Sequence, residues 1–188
     1  MKGMNRMSRK VWKVKMIGVL VVALSLLMAA GVAGEERTDA SMDLWKTIDA
    51  LTQQIPFSQQ KVETALSTQL AEKPLGSGNN LYHLFESQPI ALADGVVISN
   101  VDLRIKRSGD HPGFLVLVMD ETDGAGVTLE QVQAQYSQLA ITDIPRGDSL
   151  EEEFSYSQIF PWRKLSFGFK ARDPERLASI VFDPNAAE

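Results

Sequence analysis

The chain has 188 residues, 44% of them hydrophobic and 23% charged, with 19 basic and 24 acidic side chains. Such a composition belongs to a globular protein and excludes collagen-like, coiled-coil, disordered and multi-span membrane chains; the length fits one domain, or two small ones sharing a core. The lack of cysteine excludes disulfides, cysteine nucleophiles, thiolate metal sites and a lipidated N-terminal cysteine, and two histidines, His83 and His111, leave little material for a zinc site or a catalytic triad.

Charge is unevenly spread. Residues 1–33 hold Lys2, Arg6, Arg9, Lys10, Lys13 and Lys15 and no acid, so residues 34–188 keep thirteen bases against 24 acids, a formal charge of −11. The basic stretch precedes the apolar run Met16–Met28 and then small residues, with Gly31 and Ala33 suited to the minus-three and minus-one positions of a signal peptidase site. This pattern predicts a secretory signal peptide over 1–33, cleaved after Ala33, and a periplasmic address for the rest. The alternative is an uncleaved anchor, since the 19 residues through Gly34 are just long enough to span a bilayer. With flanking positive charge holding the N-terminus inside, the remainder is exported in either case. The acidic body argues against nucleic acid as a partner and favours a basic protein or plain solubility.

Residues 34–41 are small and polar and read as a flexible leader. Leu44, Trp45, Ile48, Leu51 and Ile55 recur at helical spacing and predict a first amphipathic helix over 42–54, ended by Pro56. Ser58 is a suitable cap for a second helix, whose face carries Val62, Ala65, Leu66 and Leu70 and which stops before Pro74. The pattern then becomes strand-like over Leu81–Glu86, Val96–Lys106 and Phe114–Met119, with turns between. Thr128, with Gln131 three residues on, has the capping-box pattern for a third helix striped by Val132, Tyr136 and Leu139. Strands are predicted again over Phe154–Phe160, Trp162–Lys170 and Leu177–Phe182.

This order contains a self-similarity. Phe57-Ser58-x-x-x-Val62-x-x-x-Leu66 matches Val127-Thr128-x-x-x-Val132-x-x-x-Tyr136, and Val101-x-Leu103-x-Ile105-Lys106 matches Leu165-x-Phe167-x-Phe169-Lys170. Helix then antiparallel strands, done twice, predicts an α+β protein: a first helix–sheet unit over 42–124 and a second over 125–188, sharing one sheet with the helices on one face, after an extra N-terminal helix. Val101, Leu103 and Ile105 alternate with Asn100, Asp102, Arg104 and Lys106, so the other sheet face is expected to be wet. Lys106 and Lys170 are contacts on that face or guards of a sheet edge.

The tandem pattern, above all Pro161–Lys170 running on to Leu177–Phe182, resembles the β-lactamase-inhibitor-like fold, shared with the small outer-membrane assembly lipoproteins of the SmpA/OmlA type. The likeness covers about residues 55–183. It implies a protein that binds other proteins through an open sheet face, and it brings over no catalytic residue. Two family features are missing, the lipidated cysteine of the assembly lipoproteins and the disulfides of the inhibitors.

No grouping for catalysis stands out. His83 lies in a strand without a positioned base–orienter pair, and the two histidines lack carboxylates at ligand spacing, so neither a metal nor another cofactor is expected. Asp120–Gly124 lacks the acidic positions of a calcium loop, and neither glycine pair has the third glycine of a dinucleotide fingerprint. Glu151–Glu153 is a solvated loop end or a contact for a basic partner. Tyr156 precedes Pro161, and Trp162 falls in register with Lys164 and Ser166; aromatic residues on an open face are favoured anchors, unless Pro161 turns Trp162 back to the core. The candidate partner-binding residues are therefore Tyr82, Arg104, Tyr156, Trp162, Lys164 and Glu152. The expected function is a non-enzymatic periplasmic module that binds another exported protein, an inhibitor or immunity-type protein. Alternatives are an envelope assembly accessory, a hydrolase built on carboxylates and His83, or a small-ligand carrier.

Overall fold

The computed structural model describes residues 42–74, 81–122 and 124–185. These belong to the unit Glu36–Glu188; the expected signal peptide and leader, 1–33 and 34–41, lie outside them. Asp43 opens helix α1 (Leu44–Thr52), its carboxylate accepting from the Lys46 N–H at 2.9 Å, and Leu44, Ile48 and Leu51 form the fully buried stripe. Ser58 caps α2 (Gln59–Leu66) in the same way. That helix ends earlier than its apolar spacing predicts, because Ser67 turns left-handed at φ 50°. Leu70, expected on the helix, instead starts strand β1 (Leu70–Glu72).

β2 (Tyr82–Ser87), β3 (Ile90–Ala91), β4 (Val97–Lys106) and β5 (Phe114–Met119) follow. Thr128 and Gln131 close the full capping box of α3 (Leu129–Gln135), with Gln131 N–H on Thr128 Oγ1 at 3.2 Å and Thr128 N–H on Gln131 Oε1 at 2.8 Å. The chain ends in β6 (Ala140–Asp143), β7 (Glu153–Phe160), β8 (Arg163–Lys170) and β9 (Leu177–Asp183). The nine strands of the described residues join one antiparallel sheet in the order β1-β2-β4-β5-β9-β8-β7-β6, with β3 beside β4.

One register row, Phe85–Leu103–Leu115–Phe182–Leu165, crosses five strands and is buried throughout. It belongs to a single apolar cluster with Leu44, Ile48, Leu51, Val62 and Leu66 of the helices, and Phe57 meets Phe182 edge-on at 6.0 Å. Each such side chain contributes about 1.5–3 kcal/mol by leaving water.

The expected α+β arrangement of two helix–strand units with helices on one face is corrected by this architecture. The described residues are sheet-dominated: nine antiparallel strands against three helices of only nine, eight and seven residues. Helix is lost where Ser67 breaks α2, and strand is gained in β1, β3 and β6. Those strands have two to four residues, too few for a period-two pattern, and every residue of β6 is exposed. Neither Lys106 nor Lys170 guards an edge, because β4 and β8 each have partners on both sides.

Candidate functional site

Alternation along paired strands sorts the sheet residues into two faces. One carries the buried row above. The other carries Tyr82, Leu84 and Glu86 of β2, Asn100, Asp102 and Arg104 of β4, and Phe114, Val116 and Val118 of β5. Continuing across the sheet, it carries Ser179, Val181 and Asp183 of β9, Lys164, Ser166 and Gly168 of β8, and Ser155, Ser157 and Ile159 of β7. Among the described residues no helix packs on this second face as α1 and α2 pack on the first. Phe114, Val116, Val118 and Val181, from the two central strands, stay partly open to solvent.

Three adjoining hollows run across the strands of this face. The first, about 300 Å³, lies between Tyr82, Arg104, His111, Phe114, Asp183 and Asn185. The second, about 280 Å³, shares Phe114 and Asp183 with it and adds Lys164, Ser166, Val181 and Asp143. The third, about 290 Å³, shares Asp143 and continues past Pro145, Arg146, Asp148 and Glu152. Together they make a trough in which Phe114 and Val181 lie among the charged groups of Arg104, Lys164, Asp183 and Asp143.

Its side chains are held in place. Arg104 lies over the Phe114 ring at 5.4 Å and grips Asp102 through Nε and Nη2, the latter at 2.6 Å. These bonds raise the guanidinium pKa further, against the opposing effect of burial. Tyr82 meets His111 edge-on at 6.2 Å. The floor is a hydroxyl chain, Thr142–Ser157–Ser166, with both O···O distances 2.7 Å and both serines buried. Ser179 donates to Glu153 at 2.6 Å, which lays that carboxylate along the sheet beside Gly168.

The structure brings Tyr82, Arg104 and Lys164 together in the trough, and Glu152 lines its third hollow. The Glu152 carboxylate accepts the Arg146 and Gly147 N–H groups, at 2.6 and 3.1 Å, and so shapes the loop that walls that hollow. Tyr156 and Trp162 are elsewhere. Tyr156 lies on the core side, edge-on to buried Phe169 at 5.6 Å. Trp162 stacks on Phe160 at 5.5 Å and on Phe182 at 6.2 Å. The register with Lys164 fails because Pro161 and Trp162 form the β7–β8 turn and Arg163 takes φ 116°, so period-two counting cannot be run back through them.

Sequence reasoning missed Phe114, Val116 and Val181. Phe114–Met119 is apolar at every position, which reads as a strand buried on both faces; Leu115, Leu117 and Met119 are buried, whereas Phe114, Val116 and Val118 line the open face. The available signal was the clash between an unbroken apolar run and a neighbouring strand that alternates. His83 is on the opposite face from the trough, its Nδ1 2.6 Å from Glu72 Oε1. Among the described residues no three His, Asp or Glu side chains are grouped to hold a metal ion, and no helix is long and apolar enough to cross a membrane. Compared with known proteins, the chain matches no family, no curated protein and no solved structure.

Proposed function

We propose that this chain is an exported, non-catalytic protein-binding module of the inhibitor or immunity type, acting in the periplasm after cleavage following Ala33. Its partner is another exported protein of basic character, seated on the open sheet face. The observation that supports this reading is the trough: Phe114 and Val181 offer apolar surface in it, and Arg104, Lys164, Asp183 and Ser166 surround them with charged or hydrogen-bonding groups. Protein interfaces have that anatomy, an apolar core inside a polar rim. The formal charge of −11 on residues 34–188 adds long-range attraction for a basic partner. The resemblance of the strand pattern to the β-lactamase-inhibitor-like fold points the same way.

The test is affinity capture from an envelope extract with the exported form and with its Val181→Arg variant. The wild type is expected to retain one partner at 1:1, confirmed by calorimetry with the purified partner. Val181→Arg is expected to lose it while keeping the wild-type melting curve. A partner held equally well by both proteins refutes the face as the binding site. Failure of the wild type to retain any stoichiometric partner refutes the reading itself.

A further inference from the structure

The two ends of the sheet are treated differently. At one end β1 is three residues long, and α2 covers its first residue. Glu63 Oε1 accepts the Leu70 N–H at 2.9 Å, and Gln59 Nε2 donates to the Leu70 carbonyl at 3.1 Å. The side chains of α2 thus stand where a neighbouring strand would be. At the other end β6 is the terminal strand, and among the described residues no segment pairs with its outer side. All four of its residues are exposed.

The hairpin that ends the sheet is also unusually apolar for a surface. Of the five large apolar side chains that stand well exposed among the described residues, four are here: Ile141 at 57%, Ile144 at 62%, Leu150 at 68% and Ile159 at 68%. An open strand edge with apolar side chains is a template for another strand, and native sheets usually block it with charge or cover. Here Leu70 of β1 has the cover, and among the described residues β6 has none.

We infer that the β6 edge is a second binding surface, which adds an extended segment of a basic partner protein as a tenth strand. Charge selects this occupant. Between Ala140 and Phe160 the chain has five acids and one base. Glu151 is engaged by Lys170 and Arg172, and Glu152 by loop N–H groups, while Asp143 and Asp148 remain at the mouth of the hairpin. A second copy of this chain would bring the same excess of acid to the shared edge, a repulsion that a basic segment does not meet. A segment alternating apolar and basic residues meets Ile141 on one face and the acids on the other. Main-chain hydrogen bonds supply affinity in such strand addition, and alternate side chains supply the selection. The irregular register between Ile141 and Asp143 limits the added strand to about the length of β6 itself.

The test uses the full chain and two blocked heptapeptides, one alternating lysine and valine and one alternating glutamate and valine. NMR hydrogen exchange reads the amides of residues 140–143, and fluorescence titration reads affinity. The lysine peptide is expected to bind at least tenfold tighter than the glutamate peptide and to slow exchange in β6. Ile141→Lys, at a site exposed enough to leave the fold intact, is expected to weaken it at least tenfold. Asp148→Lys should reduce the preference between the peptides several-fold. Tyr82→Ala, in the first hollow of the open face and away from the acids of the hairpin, should change neither, which separates this proposal from that end of the trough. Equal binding of the two peptides, or protection at Leu70–Glu72 or on the open face, overturns it. So does a concentration-dependent dimer of the full chain that Ile141→Lys abolishes, because the occupant is then a second copy.

Discussion

Replacing Gly168 by alanine is expected to destabilise the protein, against the general rule for a strand. Glycine inside a strand is entropically unfavourable, and alanine normally recovers about 0.5–1 kcal/mol. Gly168 sits in the middle of β8, paired with Ser155 on one side and Ser179 on the other. A Cβ there would overlap the Glu153 carboxylate and the Ser179 hydroxyl, with Glu153 Cδ only 2.8 Å away. The methyl must push the carboxylate off the sheet and break the 2.6 Å Ser179–Glu153 hydrogen bond. Hydrogen bonds to charged groups contribute about 1.5–3 kcal/mol net. Set against the entropy gained, the expected loss is roughly 1–2 kcal/mol, read as a lower urea midpoint with unchanged slope. In a Glu153→Ala, Ser179→Ala background the obstruction is gone, and Gly168→Ala should become neutral or stabilising. Equal effects in the two backgrounds, or a more stable single variant, would refute the placement of Glu153 over Gly168.

Two further outcomes follow from side chains on the core face. Burial, and then the charge of Asp49, hold the Tyr136 phenol above its ordinary pKa, among Trp45, Phe160 and Phe167. The unfolded chain therefore releases this proton first, so the contribution is whole below about pH 10 and is lost as pH rises from there towards the folded-state pKa. The slope is at most about 1.4 kcal/mol per pH unit, and solvent at the partly exposed ring reduces it; urea midpoints at pH 9 and 11 should converge between wild type and Tyr136→Phe, and identical slopes would contradict this. Trp162→Ala should lower stability by about 2–4 kcal/mol because its ring packs on Phe160 and Phe182, whereas Lys164→Ala on the trough should stay within about 0.5 kcal/mol. Comparable melting shifts for the two would overturn their assignment to opposite faces.

Legibility in the sequence tracks how local each cause is. The Ser58 cap, the Thr128–Gln131 box and the apolar stripe of α1 depend on residues within a turn of one another, and each forms where its spacing places it. The alternation in β4 is equally local, and Arg104 therefore reaches the open face as expected. Leu70 shows where local cause fails: a helical spacing continued past Ser67 in sequence, but Glu63 and Gln59 offered its backbone a better partner as the start of a strand. Trp162 shows the same at a turn, where one positive φ angle reversed the face on which a large ring lies.

By itself the sequence determined an acidic body behind a basic, apolar N-terminal segment, no thiol chemistry, the helix caps and a strand that alternates apolar and polar residues. Only the tertiary structure decided that the sheet dominates, that β5 and β9 meet at its centre, and that Phe114 and Val181 thereby adjoin Arg104, Lys164 and Asp183 in one trough. It also decided that α2 covers Leu70 of β1 while, among the described residues, nothing pairs with the outer side of β6. The reason is physical: a residue's face is set by its own neighbours in the chain, whereas strand order depends on which distant segments bury their apolar rows together. Leu115 and Phe182 lie far apart in sequence, and nothing near either one announces the other.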